Sequence, residues 1–73
     1  MEYAIVIHEA QEGGYWVEVP ALDGCFAQGE TVDEAMADAR SAIASHLGAL
    51  RDDGQPLPAS GAVILATVAV PAA

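Results

Sequence analysis

At 73 residues the chain has room for one hydrophobic core, so residues 1–73 are read as a single domain. Eleven acids stand against two arginines, Arg40 and Arg51, for a formal net charge of -9. Nucleic-acid binding draws its affinity from Lys and Arg on phosphates, so direct RNA or DNA binding is not expected, and an anionic membrane surface is disfavoured for the same reason.

Residues 3–10, rich in Ile, Val and Tyr, predict a first strand. Gln11-Glu12-Gly13-Gly14 predicts a hairpin turn, because glycine takes the positive φ such turns demand. Residues 15–19 predict a second strand, stopped by Pro20, which cannot donate to a ladder. Asp23-Gly24 is a further turn signal, and residues 25–28 predict a short third strand. Thr31-Val32-Asp33-Glu34 fits a capping box, a hydroxyl cap with a glutamate that reaches back. From there Val32, Ala35, Met36, Ala39, Ile43, Leu47 and Leu50 recur at three- and four-residue steps and predict one amphipathic helix, ending near Asp52-Asp53 with Gly54 as its stop. Residues 55–61, with Pro56 and Pro58, predict a connector, and the apolar residues 62–70 a last strand.

The expected fold is therefore α+β in βββαβ order, a small sheet with the helix on one face. With a hairpin loop of even length, Ala4, Val6 and His8 would share a face with Tyr15, Val17 and Val19. Tyr3, Ile5 and Ile7 would share the opposite face with Trp16 and Glu18. Both faces are then substantially apolar, and one helix covers only one of them. The other is expected to meet another protein, since large apolar patches usually mark interaction sites. Small domains also need a staple. The single Cys25 allows no internal disulfide, and with the separated His8 and His46 it matches no zinc spacing. No metal or cofactor is expected, and homo-oligomerisation is.

The stretches GGYWVEVP and LDGCFAQGETVDEAMADARSAI resemble the HicB-like antitoxin family. Gly13, Gly14, Tyr15, Trp16, Pro20, Gly24, Cys25, Gly29, Thr31, Glu34 and Ala35 stand where the family pattern would have them. Asp23 stands where that pattern would have a proline. The resemblance covers roughly residues 3 to 50, and the order of elements extends it to Val70. It implies a partial RNase H-like fold and a partner, a small basic toxin that cleaves mRNA and is neutralised when its active surface is covered. Many members carry a C-terminal helix-turn-helix or ribbon-helix-helix segment. This sequence ends at Ala73 after the last predicted strand, so a domain without operator binding is expected.

The segment between Val19 and Ala35 holds acids, a cysteine and two glycines, yet it reads as architecture. Gly24 and Gly29 ease backbone turns. Cys25 lacks the electropositive setting a nucleophile needs, because Asp23 and Glu30 flank it. A two-metal nuclease needs several converging carboxylates, and only Glu9, Glu18 and Asp23 fall near the sheet. Glu9 and Glu18 are placed on one face, with no fourth acid in reach. No catalytic residue is assigned. His8 reads as a partly buried strand residue and His46 as a flank of the helix stripe. The partner-binding residues expected are Trp16, Glu18 and Glu9, the tryptophan because aromatic anchors dominate many interfaces.

The expected activity is thus non-enzymatic, an antitoxin-like module that binds a basic toxin. The alternative is a homo-oligomeric protein or ligand-binding module with no toxin partner. The N-terminus MEYAIVIHEA has no basic region or cleavage site, and no apolar run reaches the ~20 residues that span a bilayer. A cytoplasmic protein is expected.

Overall fold

The computed structural model describes residues 1–61 and 63–72. Strands β1 (Val6–Glu9), β2 (Tyr15–Glu18) and β3 (Phe26–Gly29) form an antiparallel sheet in the order β1-β2-β3, and helix α1 (Val32–Asp52) follows.

The first hairpin sets the faces. Glu9 pairs with Tyr15, so the loop is residues 10–14, five residues long and odd. It closes with the Ala10 N–H donating to the Gly14 carbonyl at 3.0 Å and the Gly13 N–H to the Ala10 carbonyl at 3.1 Å. The ladder then reads Val6 to Glu18, Ile7 to Val17 and His8 to Trp16. An even loop would give the opposite parity, because one residue of slip turns every side chain of a strand to the other face. The expected face assignment is therefore corrected. Val6 and His8 stand with Trp16 and Glu18, while Ile7 stands with Val17 on the helix side.

The core lies between sheet and helix. At one end Val17, Ala27, Ala35 and Ala39 are buried, with Ile5, Ile7 and Tyr15 packed against them. At the other, Val19, Leu22, Cys25 and Leu47 are buried beside Tyr3, Ile43 and Leu50. Fully burying a side chain such as Val17 or Leu22 contributes about 1.5–3 kcal/mol. Few side chains of that size are buried, and alanines make up much of the interior. Small residues at 35 and 39 bring the helix backbone close to the sheet, and Gly29 lets β3 touch the helix start. A Cβ on Gly29 would lie 2.4 Å from the Ala35 nitrogen and 2.7 Å from the Glu34 carbonyl carbon. The glycine is needed for close approach, whereas turn-making was expected; its φ is not positive.

The helix begins as expected. Thr31 is the N-cap, and its Oγ1 accepts from the Glu34 N–H at 3.1 Å. Glu34 reaches back to accept from the Glu30 N–H at 3.2 Å, one residue before the cap. Asp33 and Glu34 sit in the positive first turn and Arg51 in the negative last turn. Gly54, at φ +71°, closes the far end, its N–H donating to the Arg51 carbonyl. Removing the cap hydroxyl costs a helix about 0.5–2 kcal/mol. Thr31→Ala is thus expected to lower the midpoint of urea unfolding, while affinity for any partner of the sheet stays at the wild-type level under folding conditions. Binding lost at unchanged stability would make Thr31 a contact residue.

The fourth strand is absent among the described residues. Ala62, where it was expected to begin, lies outside them, and residues 63–72 pair with no neighbour as a strand. Ile64, Leu65, Val68 and Val70 are 79 to 87% exposed. A strand is stabilised by cross-strand and facing neighbours, and an apolar sequence alone supplies neither.

Candidate functional site: the outer face of the sheet

The face of the sheet turned away from α1 carries Val6 and His8 from β1, Trp16 and Glu18 from β2, and Phe26 and Gln28 from β3. Their arrangement follows from the register. His8 and Trp16 are direct cross-strand partners, and their rings stack with centroids 4.1 Å apart and planes 15° from parallel. Trp16 meets Phe26 on the diagonal at 6.3 Å, tilted by 50°. Diagonal neighbours across a ladder are within reach of aromatic side chains. The His8 Nε2–H donates to Glu18 Oε1 at 3.0 Å, across the strand. The result is a row of three rings with a carboxylate at its side.

The row is open. Trp16 is 38% exposed and Phe26 60%, although both are large and apolar. The Glu18 carboxylate is partly exposed beside them. No lysine or arginine stands on this face; both arginines of the chain lie on α1, across the sheet. The surface is therefore apolar at its centre, with an anionic group next to the aromatic row.

Of the three residues expected to bind a partner, the structure brings two together. Trp16 and Glu18 share the outer face, as expected. Glu9 pairs with Tyr15, so its parity is that of the helix side, and it projects exposed at the strand end. The expectation that Glu9 and Glu18 share a face is corrected by the same odd loop. His8 and Phe26 join the site unannounced. The register alone would have found them, since each stands beside Trp16 or Glu18 in the ladder.

The other chemistry-bearing residues lie elsewhere. Cys25 is buried among Val19, Leu22 and Leu47, and burial pushes its thiol pKa up, which disfavours the thiolate a nucleophile requires. His46 is half-buried on α1 near Cys25 and Phe26. Among the described residues no three or more His, Cys, Asp or Glu side chains come together as a metal site, and no helix is long and apolar enough to cross a membrane.

Residues 3–71 match the family model for the HicB-like antitoxin of bacterial toxin–antitoxin systems. Among curated proteins, the UPF0150 protein Ta0767 of Thermoplasma acidophilum is 37% identical over 62 residues, which cover 85% of this chain and 90% of that protein. The crystal structure of the N-terminal domain of the Burkholderia pseudomallei antitoxin HicB is similar at TM-score 0.72 and 32% identity, covering 85% of this chain and 73% of that one. A chain of the HicA3 and HicB3 toxin–antitoxin complex is similar at TM-score 0.65 and 39% identity, covering 77% of this chain and 64% of that one.

Proposed function

The chain belongs to the HicB-like antitoxin family, and on that premise we propose that it neutralises a small, basic, mRNA-cleaving toxin by covering the toxin's active surface with the outer face of its sheet. The observation that carries this reading is the exposed row His8–Trp16–Phe26 with Glu18 beside it. Exposed aromatics at the centre of a patch are what interface hot spots are made of. A net charge of -9 draws in a basic partner and speeds its encounter. The similarity to a chain of the HicA3 and HicB3 complex supports a toxin as the partner. The same charge argues against RNA or DNA as the direct ligand, because the face offers no Lys or Arg to a phosphate. Inhibition here is occlusion, so the chain itself needs no catalytic group.

The test is co-expression with a candidate toxin, a short basic protein encoded in a neighbouring reading frame. Growth arrest by the toxin should be relieved, and the two proteins should co-purify at low salt. Association should slow as salt rises, because exposed charges are screened beyond about 10 Å at 0.1 M. Equal arrest with and without this chain, with no complex at low salt, would sink the reading.

A further inference from the structure

The geometry points to an exchange of tails between two copies of this chain, in which residues 63–70 of one copy add as a strand at the β1 side of the other and fill the groove beside its helix. The groove is present and open. It has a volume of about 830 Å³ and runs between residues 1–5 and α1, with Tyr3, Ile5, Met36, Ile43, Ala44 and Leu47 among its walls. Met36 is 48% exposed there, although it belongs to the apolar stripe of the helix.

The two edges of the sheet are not equivalent. At the β3 edge, the Gln28 N–H donates to the Asp38 carboxylate at 3.0 Å, so the helix already engages a backbone donor there with an acid. At the other edge, β1 enters the ladder only at Val6, and residues 1–5 run beside the helix outside any strand. A strand edge left open in this way is a template for pairing.

The segment that fits this place is in the chain itself. Residues 63–70 read VILATVAV, apolar on both alternating faces, as suits a strand covered on both sides. Eight extended residues span about 26 Å, enough to run along residues 1–5 and on beside β1. All eleven acids and both arginines precede residue 54, so the tail carries no charge. It is the part of this acidic chain that can approach a second copy without like-charge repulsion.

The tail does not occupy its own groove. The Tyr3 hydroxyl donates to the Pro58 carbonyl, which holds the connector against the N-terminal segment. Beyond Gly61, at φ +66°, residues 63–70 stand exposed. The molecule measures 52 × 26 × 18 Å, with a radius of gyration of 14.7 Å; a rounded chain of this length has about 11 Å. Two copies that each lend a tail and each offer a groove form a closed, self-complementary pair with two identical contacts. The outer sheet faces stay free for another partner.

Two full-length single variants, Ala44→Cys in the groove wall and Val68→Cys in the tail, are mixed and oxidised; Cys25 is buried and does not compete. A disulfide joining one variant to the other is expected, on a dimer seen by analytical ultracentrifugation. Ile64→Asp combined with Val68→Asp should weaken that dimer by about 100-fold or more, as loss of central apolar anchors does. A concentration-independent monomer, in which the doubly substituted Ala44→Cys, Val68→Cys chain closes its own disulfide, would overturn the proposal in favour of a tail folded home. A dimer that survives the aspartates without cross-linking would overturn it in favour of pairing through the outer sheet face.

Discussion

Trp16→Ala is expected to shorten the lifetime of the complex with a basic toxin by roughly 30- to 1,000-fold, with the association rate nearly unchanged. Truncating a central aromatic anchor typically costs about 2–4 kcal/mol, and each 1.4 kcal/mol is about tenfold in affinity. The loss falls on dissociation, because mutations within one interface act mostly there. Stability should suffer much less. The indole is 38% exposed and its intrachain partners are His8 and Phe26, and aromatic pairs contribute about 0.5–1.5 kcal/mol beyond area burial. Glu18→Lys should do the converse, slowing association and flattening its dependence on salt. Surface plasmon resonance at two salt concentrations separates the effects. Unchanged dissociation of the Trp16→Ala variant, at unchanged stability, would move the contact off this face.

The second large effect is on the fold. Gly29→Ala is expected to cost more than about 3 kcal/mol, above the usual range of about 1–3 kcal/mol for overpacking. The added methyl would meet the backbone of Glu34 and Ala35 at 2.4 to 2.9 Å, and a helix backbone cannot swing aside as a side chain can. Relief requires α1 to lift off β3, and with it Ala35 and Ala39 from the core. A domain of this size holds roughly 4–11 kcal/mol in all, so much of the population would unfold near 37 °C. Gly54→Ala is the contrast. Its Cβ would meet nothing within 4 Å, and the cost is only the positive φ of 71°, about 1–2 kcal/mol. Urea melts followed by circular dichroism should order the two variants that way. A Gly29→Ala protein as stable as Gly54→Ala would show that β3 and the helix start have room to part.

The elements legible in the sequence were those with local causes. Thr31, Glu34 and Gly54 announce the two ends of α1 because capping is chemistry between near neighbours, and the structure makes those hydrogen bonds. The three strands and the helix stripe followed from turn residues and spacing. The aromatic row was only half legible. Trp16 and Glu18 were visible as strand neighbours two apart, but His8 and Phe26 depend on how the ladders close. Nothing in Gln11-Glu12-Gly13-Gly14 says that the loop takes in Ala10 as a fifth residue. One residue in that count moved His8 onto the site and Glu9 off it. A glycine before a helix suggests a turn, whereas the reason for Gly29 lies at Ala35, six residues on, where the helix backbone abuts β3. The last strand could not be placed from sequence, because alternation states that a segment wants neighbours but not which molecule provides them.

The partly exposed Trp16 is the sole tryptophan of the chain. Its excited-state dipole is relaxed by surrounding water, so emission from this protein comes from the centre of the outer sheet face and from nowhere else that an indole could report. A partner that dries that face shifts the spectrum to the blue. A tail entering the groove on the far side of the sheet leaves the ring in the same water. One optical signal, with no label attached, therefore tells occupancy of one surface apart from occupancy of the other.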